Sequence, residues 1–175
     1  AMMRRLLSTS VAALVASVAL LAGLAGASPE PWVHPDGSIH YYDAISTPAG
    51  INWRAAFDSA AGHGGYLATI TSQAENDFIF NLVDSNRYWY KRPGPNRLAG
   101  PWIGGTQDFG APEPDSGWHW VTDESMNYRN WTPGQPDNQS GNENALHFGE
   151  SANVRVPTWD DLSSQDSSIR GFVRE

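Results

Sequence analysis

Two segments in the first half of the chain carry apolar residues at helical spacing. The first predicts a helix over residues 52–61 that ends at the glycines after it. The second begins with the capping-box pattern SQAE at residues 72–75 and predicts a helix that continues to Val83. The apolar residues at this spacing are Trp53, Ala56, Phe57 and Ala60 in the first segment and Phe78, Ile79, Leu82 and Val83 in the second.

Short segments of strand-forming residues make up most of the remaining pattern. Residues 37–45 combine β-branched and aromatic residues and predict a strand before the first helix, and residues 66–70 predict a strand between the helices. Helical periodicity does not return after Asp84. Further short strands are predicted at 101–105, where the strand runs into a turn, and at 118–121, 145–148, 158–162 and 169–173. Two early helices followed by short strands are typical of an α+β fold.

Three segments show neither the helical nor the strand pattern. Residues 28–35 are rich in proline and predict an extended lead-in to the first strand. Residues 85–101 predict an exposed loop, in which the aromatic residues at 88–90 either contact a ligand or pack within the loop. Residues 131–144 contain almost no apolar residue and predict a long polar loop.

Residues 1–27 have the pattern of a signal peptide. Two arginines precede an apolar run from Val11 to Leu24, and the small residues at 25–27 match a cleavage site. An uncleaved membrane anchor is the alternative, although the run is short for a bilayer span. Cleavage leaves one domain over 28–175 with no second hydrophobic segment. We therefore expect a secreted product, extracellular or periplasmic, without a membrane span.

Charge and composition narrow the function classes. Removal of the two N-terminal arginines leaves 9 basic residues against 19 acidic ones, a net charge of about −10. This balance argues against nucleic-acid binding and fits either a cation site or an acidic, solvated surface. The absence of cysteine excludes cysteine nucleophiles, iron–sulfur clusters and cysteine-ligated zinc. The chain also lacks a recognisable serine-nucleophile motif, and its five histidines are scattered without ligand spacing.

Side chains that bear oxygen are concentrated in the polar loop and shortly after it. Four carboxylates and one amide oxygen suit Ca²⁺, which takes six to eight oxygen ligands, whereas zinc prefers nitrogen or sulfur. Each acid taken alone is more often a solvated loop residue, but close together without a cation the acids would repel one another. These candidate ligands are Gln135, Asp137, Glu143, Asp160 and Asp161.

Several motifs occur in the order that is found in the C-type lectin family. Residues 37–175 resemble that family through GGYLATI at 64–70, SQAEN at 72–76, WIGG at 102–105, WHW at 118–120, NWTPGQPD at 130–137 and WDD at 159–161. The resemblance implies a C-type-lectin-like double-loop fold of the α+β class. In that fold two helices flank small antiparallel sheets, a long loop binds calcium, and the termini meet on adjacent strands. It also implies a binding module and not an enzyme.

The resemblance assigns both calcium and sugar to the same five side chains: Gln135, Asp137, Glu143, Asp160 and Asp161. In the family, two vicinal sugar hydroxyls bind the calcium directly, and the Gln-Pro-Asp order resembles galactose-type members. The expected partner is therefore a galactose-like glycan or a surface glycoconjugate. Asp160 stands where the family usually has asparagine and cannot donate a hydrogen bond, and no tryptophan follows Asp137. The alternative is a calcium-stabilised module that binds a protein or a surface without sugar.

A second calcium site is also implied by the resemblance. Some members hold an ion between a glutamate at the start of a helix and a C-terminal glutamate, which here would be Glu75 and Glu175. The alternative for Glu75 is helix capping. Because the family's usual cysteines are absent, calcium itself is expected to order the metal loop, so that metal binding and local folding are coupled.

Overall fold

The two helices and most of the strands follow the order expected from the sequence. The computed structural model describes residues 28–93, 97–149 and 153–175, so the predicted signal peptide lies outside the described residues. The two helices are α1 (Trp53–Gly62) and α2 (Gln73–Val83). The strands are β1 (Glu30–Val33), β2 (Ile39–Ser46), β3 (Tyr90–Lys91), β4 (Leu98–Ala99), β5 (Trp102–Gln107), β6 (Trp118–Trp120), β7 (Ala145–Phe148), β8 (Trp159–Leu162) and β9 (Gly171–Arg174).

The main sheet brings the two ends of the described chain together. Its strand order is β1-β2-β9-β5-β7-β8, and β6 pairs with β5 at residues 105–107. Strands β3 and β4 form a separate pair. The last strand, β9, runs antiparallel to β2 and parallel to β5. The predicted α+β class is confirmed. Strand β2, which corresponds to the first strand predicted from the sequence, lies next to the last strand β9.

Local capping explains why both helices begin where the sequence predicts. The Asn52 side chain accepts a hydrogen bond from the Ala55 amide at 2.8 Å, and Ser72 accepts one from the Glu75 amide at 3.2 Å. Such caps satisfy amide groups that have no partner within the first turn of a helix. Trp53 then ties α1 to the sheet, because its indole nitrogen donates to the Ile103 carbonyl at 2.9 Å.

Tryptophans of the core pack against one another next to the start of the polar loop. Trp120 and Trp159 pack edge to face with ring centroids 5.4 Å apart, and Trp131, at the start of the loop, packs against Trp118 at 5.0 Å. The Trp159 indole donates to the Asn76 side chain at 2.7 Å, which links β8 to α2. Edge-to-face aromatic pairs add stability beyond simple burial. The loop therefore starts from a rigid base.

The structure corrects the expectation for the aromatic residues at 88–90. Tyr88 and Trp89 are 1% and 3% exposed, so the prediction of an exposed loop there is wrong. Trp89 donates to the Val83 carbonyl at 2.8 Å and packs edge to face on Phe80. These residues extend the core beyond the end of α2. Of the two alternatives left open by the sequence, packing is the one that is confirmed for Tyr88 and Trp89.

Two strand predictions also differ from the observed elements. The proline-rich lead-in contains a strand, β1, which pairs with β2 and packs Trp32 against Phe78 at 5.1 Å between ring centroids. Residues 66–70 do not form a regular strand, although the Tyr66 and Ala68 amides donate to the Glu175 and Val173 carbonyls. In the described part of the chain, neither helix is long and apolar enough to cross a bilayer.

Candidate metal centre

The polar loop at 131–144 is anchored at both ends to strands of the main sheet. At its start, the Thr132 amide donates to the Trp159 carbonyl at 2.8 Å, and the Trp159 amide donates to the Asn130 carbonyl at 2.7 Å. At its end, the loop runs into β7, which pairs antiparallel with β8. This register places the residues just before β7 next to the end of β8. The peptide bond between Gln135 and Pro136 is cis.

Three carboxylates from separate parts of the sequence converge at the end of this strand pair. Each of Asp137, Glu143 and Asp161 offers an oxygen, and these oxygens all lie within 4.8 Å of one another. Glu143 and Asp161 are 8% and 2% exposed, whereas Asp137 is open to solvent. The grouping joins the middle of the loop, its end and strand β8. Three of the five ligands predicted from the sequence therefore come together.

Hydrogen bonds from the loop backbone hold the three carboxylates in place. The two oxygens of Asp161 accept from the amides of Asp137 at 3.1 Å and Asn138 at 2.9 Å. The Gln139 amide donates to Glu143 at 2.7 Å and to Asp137 at 3.1 Å. Charged acceptors make such bonds stronger than neutral ones. The loop is thus folded around its own acids.

Asn138 has a structural role that the sequence analysis did not identify. Its side-chain oxygen accepts from the Glu143 amide at 3.0 Å, and its backbone lies in the left-handed region with φ of 47°. Asparagine tolerates this conformation better than most residues. Its position directly after the Gln-Pro-Asp motif was the available signal, because asparagine commonly forms such local turns.

The electrostatics of the site favour a bound cation. Burial, together with the nearby charges of Asp161 and Asp137, raises the pKa of Glu143 to about 7. Burial also raises the pKa of Asp161, although the amides of Asn138 and Asp137 oppose that shift. Close carboxylates disfavour each other's ionised form, and a divalent cation would reverse this effect.

The donor set fits calcium. The side-chain oxygen of Gln135 is buried and has no hydrogen-bond partner among the described residues. An unpaired buried acceptor is costly, and a bound metal ion is one of its standard explanations. Together with the three carboxylates, this amide supplies only hard oxygen donors, the type that calcium prefers.

Asp160 occupies a different position from the other candidates. Its carboxylate does not belong to the group of three, because neighbouring residues of a strand point to opposite faces. Asp160 lies opposite His147 in the β7–β8 register, and its Oδ2 is 3.9 Å from the histidine Nε2. His147 is buried, and the sequence analysis missed it as a neighbour of the site because only strand register brings the two residues together.

The candidates for a second calcium, Glu75 and Glu175, both have buried side chains that accept hydrogen bonds from protein donors. Glu75 accepts from the Tyr42 hydroxyl at 2.7 Å and from the Thr71 amide at 2.6 Å. Glu175 accepts from the Tyr66 hydroxyl at 2.9 Å and lies against His40. Within the described residues, neither glutamate belongs to a group of three possible metal ligands. Their oxygens already have partners without an ion.

Segments similar to this chain occur in proteins from Mytilus galloprovincialis and Thalassophryne nattereri, among others. Perlucin-like protein of Mytilus galloprovincialis is 31% identical over 120 residues, which cover 66% of this chain and 65% of that protein. Galactose-specific lectin nattectin of Thalassophryne nattereri is 29% identical over 109 residues, which cover 62% of this chain and 58% of that protein. The matched segment therefore spans less than two thirds of the length of these relatives.

Solved structures share the fold at lower sequence identity. The C-type lectin CEL-I from Cucumaria echinata aligns with a TM-score of 0.57 and 18% identity, covering 77% of this chain and 87% of that chain. A calcium-independent type II antifreeze protein aligns with a TM-score of 0.56 and 22% identity, covering 83% and 94%. These likenesses concern the fold alone.

The match to a protein family covers the elements that bring the three carboxylates of the candidate metal centre together. The family model for the Lectin C-type domain matches residues 49–169, which is more than half of the chain. This range contains both helices, the polar loop and strand β8. The chain belongs to the C-type lectin family.

Proposed function

We propose that this protein is a secreted lectin that binds galactose-type glycans through a calcium ion in the 131–144 loop. The observation that carries the proposal is the convergence of the Asp137, Glu143 and Asp161 carboxylates. The amide oxygen of Gln135, two residues before Asp137 in the same loop, is buried and has no hydrogen-bond partner among the described residues, which supports it. The C-type lectin family is non-catalytic, and this domain is accordingly a binding module and not an enzyme.

Four side chains supported by the geometry would hold the ion: Gln135, Asp137, Glu143 and Asp161. When bound, calcium would supply coordination positions for sugar hydroxyls. The protein's own contribution is to fix the carboxylates with backbone amides, so that they are oriented before the ligand arrives. Asp160 enters the set through family resemblance, while its carboxylate lies beside His147.

The preference for galactose rests on the Gln-Pro-Asp order and on a relative. Nattectin, which is named a galactose-specific lectin, is 29% identical to the chain. Two features reduce the expected affinity. Asp160 lacks an amide donor for a sugar hydroxyl. Asn138 and Gln139 follow Asp137, so no aromatic residue is present there to stack on the sugar. A monosaccharide is therefore expected to bind weakly, and useful affinity is expected from several linked sites.

The competing proposal is a calcium-ordered module that binds a protein or a surface and not a sugar. The carboxylate at Asp160 favours it, because a buried acid beside the site offers no donor. Retention on immobilised galactose, with mannose as the matched control resin, separates the two proposals. The lectin proposal expects retention on galactose in millimolar calcium and elution by EDTA. Passage through both resins in calcium would reject it in favour of the module.

The proposed calcium should stabilise the fold. Binding to the native state alone contributes about 2.7 kcal/mol at a hundredfold excess over Kd, which corresponds to a Tm increase of about 5 to 10 °C for a domain of this size. Thermal melts in millimolar calcium and in EDTA measure the difference. Magnesium is the control, since it demands strict octahedral geometry and should give a smaller shift. Equal melting temperatures in calcium and EDTA would contradict the proposal.

The substitution Asp160→Asn should improve sugar binding. By family resemblance it supplies the amide that donates to a sugar hydroxyl, and one hydrogen bond contributes about 1 kcal/mol, or roughly a fivefold gain in galactose affinity. Calcium affinity should remain within about threefold of the parent, because the Asp160 carboxylate does not belong to the group of three converging carboxylates. Calorimetric titration with galactose in saturating calcium measures the gain. A variant that binds galactose no better than the parent supports the module without sugar recognition.

Two further parts of the proposal concern export and the second ion. The proposal of export rests on the signal-like pattern of residues 1–27, and the N-terminal residue of the secreted protein, expected at Ser28, tests it directly.

A second calcium between Glu75 and Glu175 has less support, because their oxygens already bond to Tyr42, Thr71 and Tyr66. Calcium stoichiometry distinguishes one site from two.

A further inference from the structure

A cavity of about 270 Å³ lies between the β5–β6 connection and the 131–144 loop. Glu143, one of the three converging carboxylates, lines it, so the cavity borders the candidate metal centre. Its volume is near the lower end of ligand-binding pockets, which is about 300 Å³. It therefore has room for one small ring and not for a whole oligosaccharide. The other residues used below that line it are Asp108, Phe109, Glu113, Asn142 and Asn144.

Phe109 stands on the rim of this cavity with its side chain fully exposed. A tight turn holds it there: the Ala111 amide donates to the Asp108 carbonyl at 3.1 Å, and Gly110 has a φ of +80°. A turn of this kind needs glycine at its third position, where φ is positive. The turn therefore fixes the backbone that carries the aromatic ring. Single exposed apolar residues are common, but this one borders a polar cavity beside a proposed binding site.

Hydrogen bonds from Gln107 also hold the later part of the β5–β6 connection. The side-chain nitrogen of Gln107 donates to Glu113 at 3.1 Å, to the Pro114 carbonyl at 3.1 Å and to the Ser116 carbonyl at 2.9 Å. Gln107 itself is 7% exposed. Preorganised walls reduce the entropy lost when a ligand binds.

The chemistry of the cavity fits a neutral sugar ring. A pyranose has an apolar face that can pack on an aromatic ring, and hydroxyl groups that donate to carboxylate and amide oxygens. Asp108, Glu113 and Glu143 supply carboxylate acceptors, and Asn142 and Asn144 supply amides. The three acids disfavour an anionic ligand at this position, because like charges repel.

We propose that this cavity is a subsite for a second, neutral sugar ring of a glycan whose first ring is held at the 131–144 loop, with Phe109 as its stacking surface. The inference rests on the proposed lectin function and specifies its substrate class as neutral glycans of at least two rings. No aromatic residue directly follows Asp137. Phe109, from a different loop, would provide the aromatic contact for the glycan instead.

The test compares galactose with neutral galactose-terminated di- and trisaccharides by calorimetry in saturating calcium. The parent should bind its best oligosaccharide more tightly than galactose. Phe109→Ala should weaken that oligosaccharide by about three- to tenfold, the worth of one aromatic contact. Galactose and calcium affinities should stay within about twofold of the parent. Phe109→Tyr should keep the oligosaccharide affinity, and Val33→Ala, which truncates another exposed apolar residue, should change nothing.

Several outcomes would overturn the subsite. Equal losses for galactose and oligosaccharide in Phe109→Ala, or no loss for either, contradict it. Tighter binding of a sulfated oligosaccharide than of its neutral counterpart contradicts the expected charge preference. If the parent binds galactose but no oligosaccharide more tightly, the subsite fails and the lectin function stands. If the parent binds no sugar at all in calcium, both fail.

Discussion

The substitution Asp161→Asn is expected to weaken calcium binding by about a hundredfold or more. Asp161 is the most buried of the three converging carboxylates, and both of its oxygens are oriented by backbone amides. Asparagine keeps the size of the side chain but removes the charge and replaces one oxygen with a donor. Because calcium affinity depends on the number of charged ligands, the loss should be large. Calorimetric calcium titration of parent and variant measures it.

Two measurements make this result interpretable. The variant without calcium should fold, because removal of a charge relieves repulsion with Glu143 and Asp137 while one amide loses its acceptor. Its circular dichroism and its melt in EDTA check this point. Asp160→Asn is the matched control, since it makes the same chemical change one residue away, on the opposite face of β8. Unchanged calcium affinity in a folded Asp161→Asn variant would show that the three carboxylates do not hold the ion.

Calcium affinity is also expected to fall steeply below neutral pH. The pKa of Glu143 is raised to about 7, so below that value a proton occupies the carboxyl group and competes with the ion. Well below the pKa, one competing proton lowers affinity about tenfold per pH unit, so the affinity should fall roughly fiftyfold between pH 7 and pH 5. Above pH 7 the affinity should level off. Calcium titrations at half-unit steps from pH 5 to pH 8 provide the measurement.

The stability of the calcium-free protein should fall as the pH rises from 5 to 8, whereas its calcium affinity should increase. A carboxyl group whose pKa is higher in the folded protein than in the unfolded chain stabilises the fold fully below about pH 4.5, and this contribution is lost as the pH rises through about 7. The melting temperature in EDTA should therefore lose this contribution between pH 5 and pH 8. Glu143→Gln is the control, because it should flatten both profiles over this range. A calcium affinity that stays constant from pH 5.5 to pH 7.5 would contradict the role of Glu143.

Local chemistry explains which parts of the fold were predictable. The boundaries of α1 and α2 were predicted to within a residue or two, because Asn52 and Ser72 cap their helices through contacts close in sequence. Strand β1 was missed because Pro31 and its neighbours are typical of extended linkers, although an edge strand tolerates proline. The burial of Trp89 depends on contacts with Phe80, and loop composition alone does not reveal them.

The candidate site was predictable in its donor type but not in its full geometry. Hard oxygen ligands at 135–161 are visible in the sequence, and the structure brings Asp137, Glu143 and Asp161 together. The sequence does not indicate that Asp160 lies beside His147, because that depends on the β7–β8 register. The cavity beside Phe109 likewise arises from two loops that approach only in the fold.

The central claim is that calcium in the 131–144 loop creates the sugar site, and one sequential titration tests it. Calcium is titrated into the metal-free protein by calorimetry, and galactose is then titrated into the same sample and into a parallel sample in EDTA. We predict saturable calcium binding that is lost in Asp161→Asn, followed by weak galactose binding, about millimolar, that occurs in calcium and not in EDTA. Galactose binding of equal strength in EDTA, or no calcium binding to the folded parent, would contradict it.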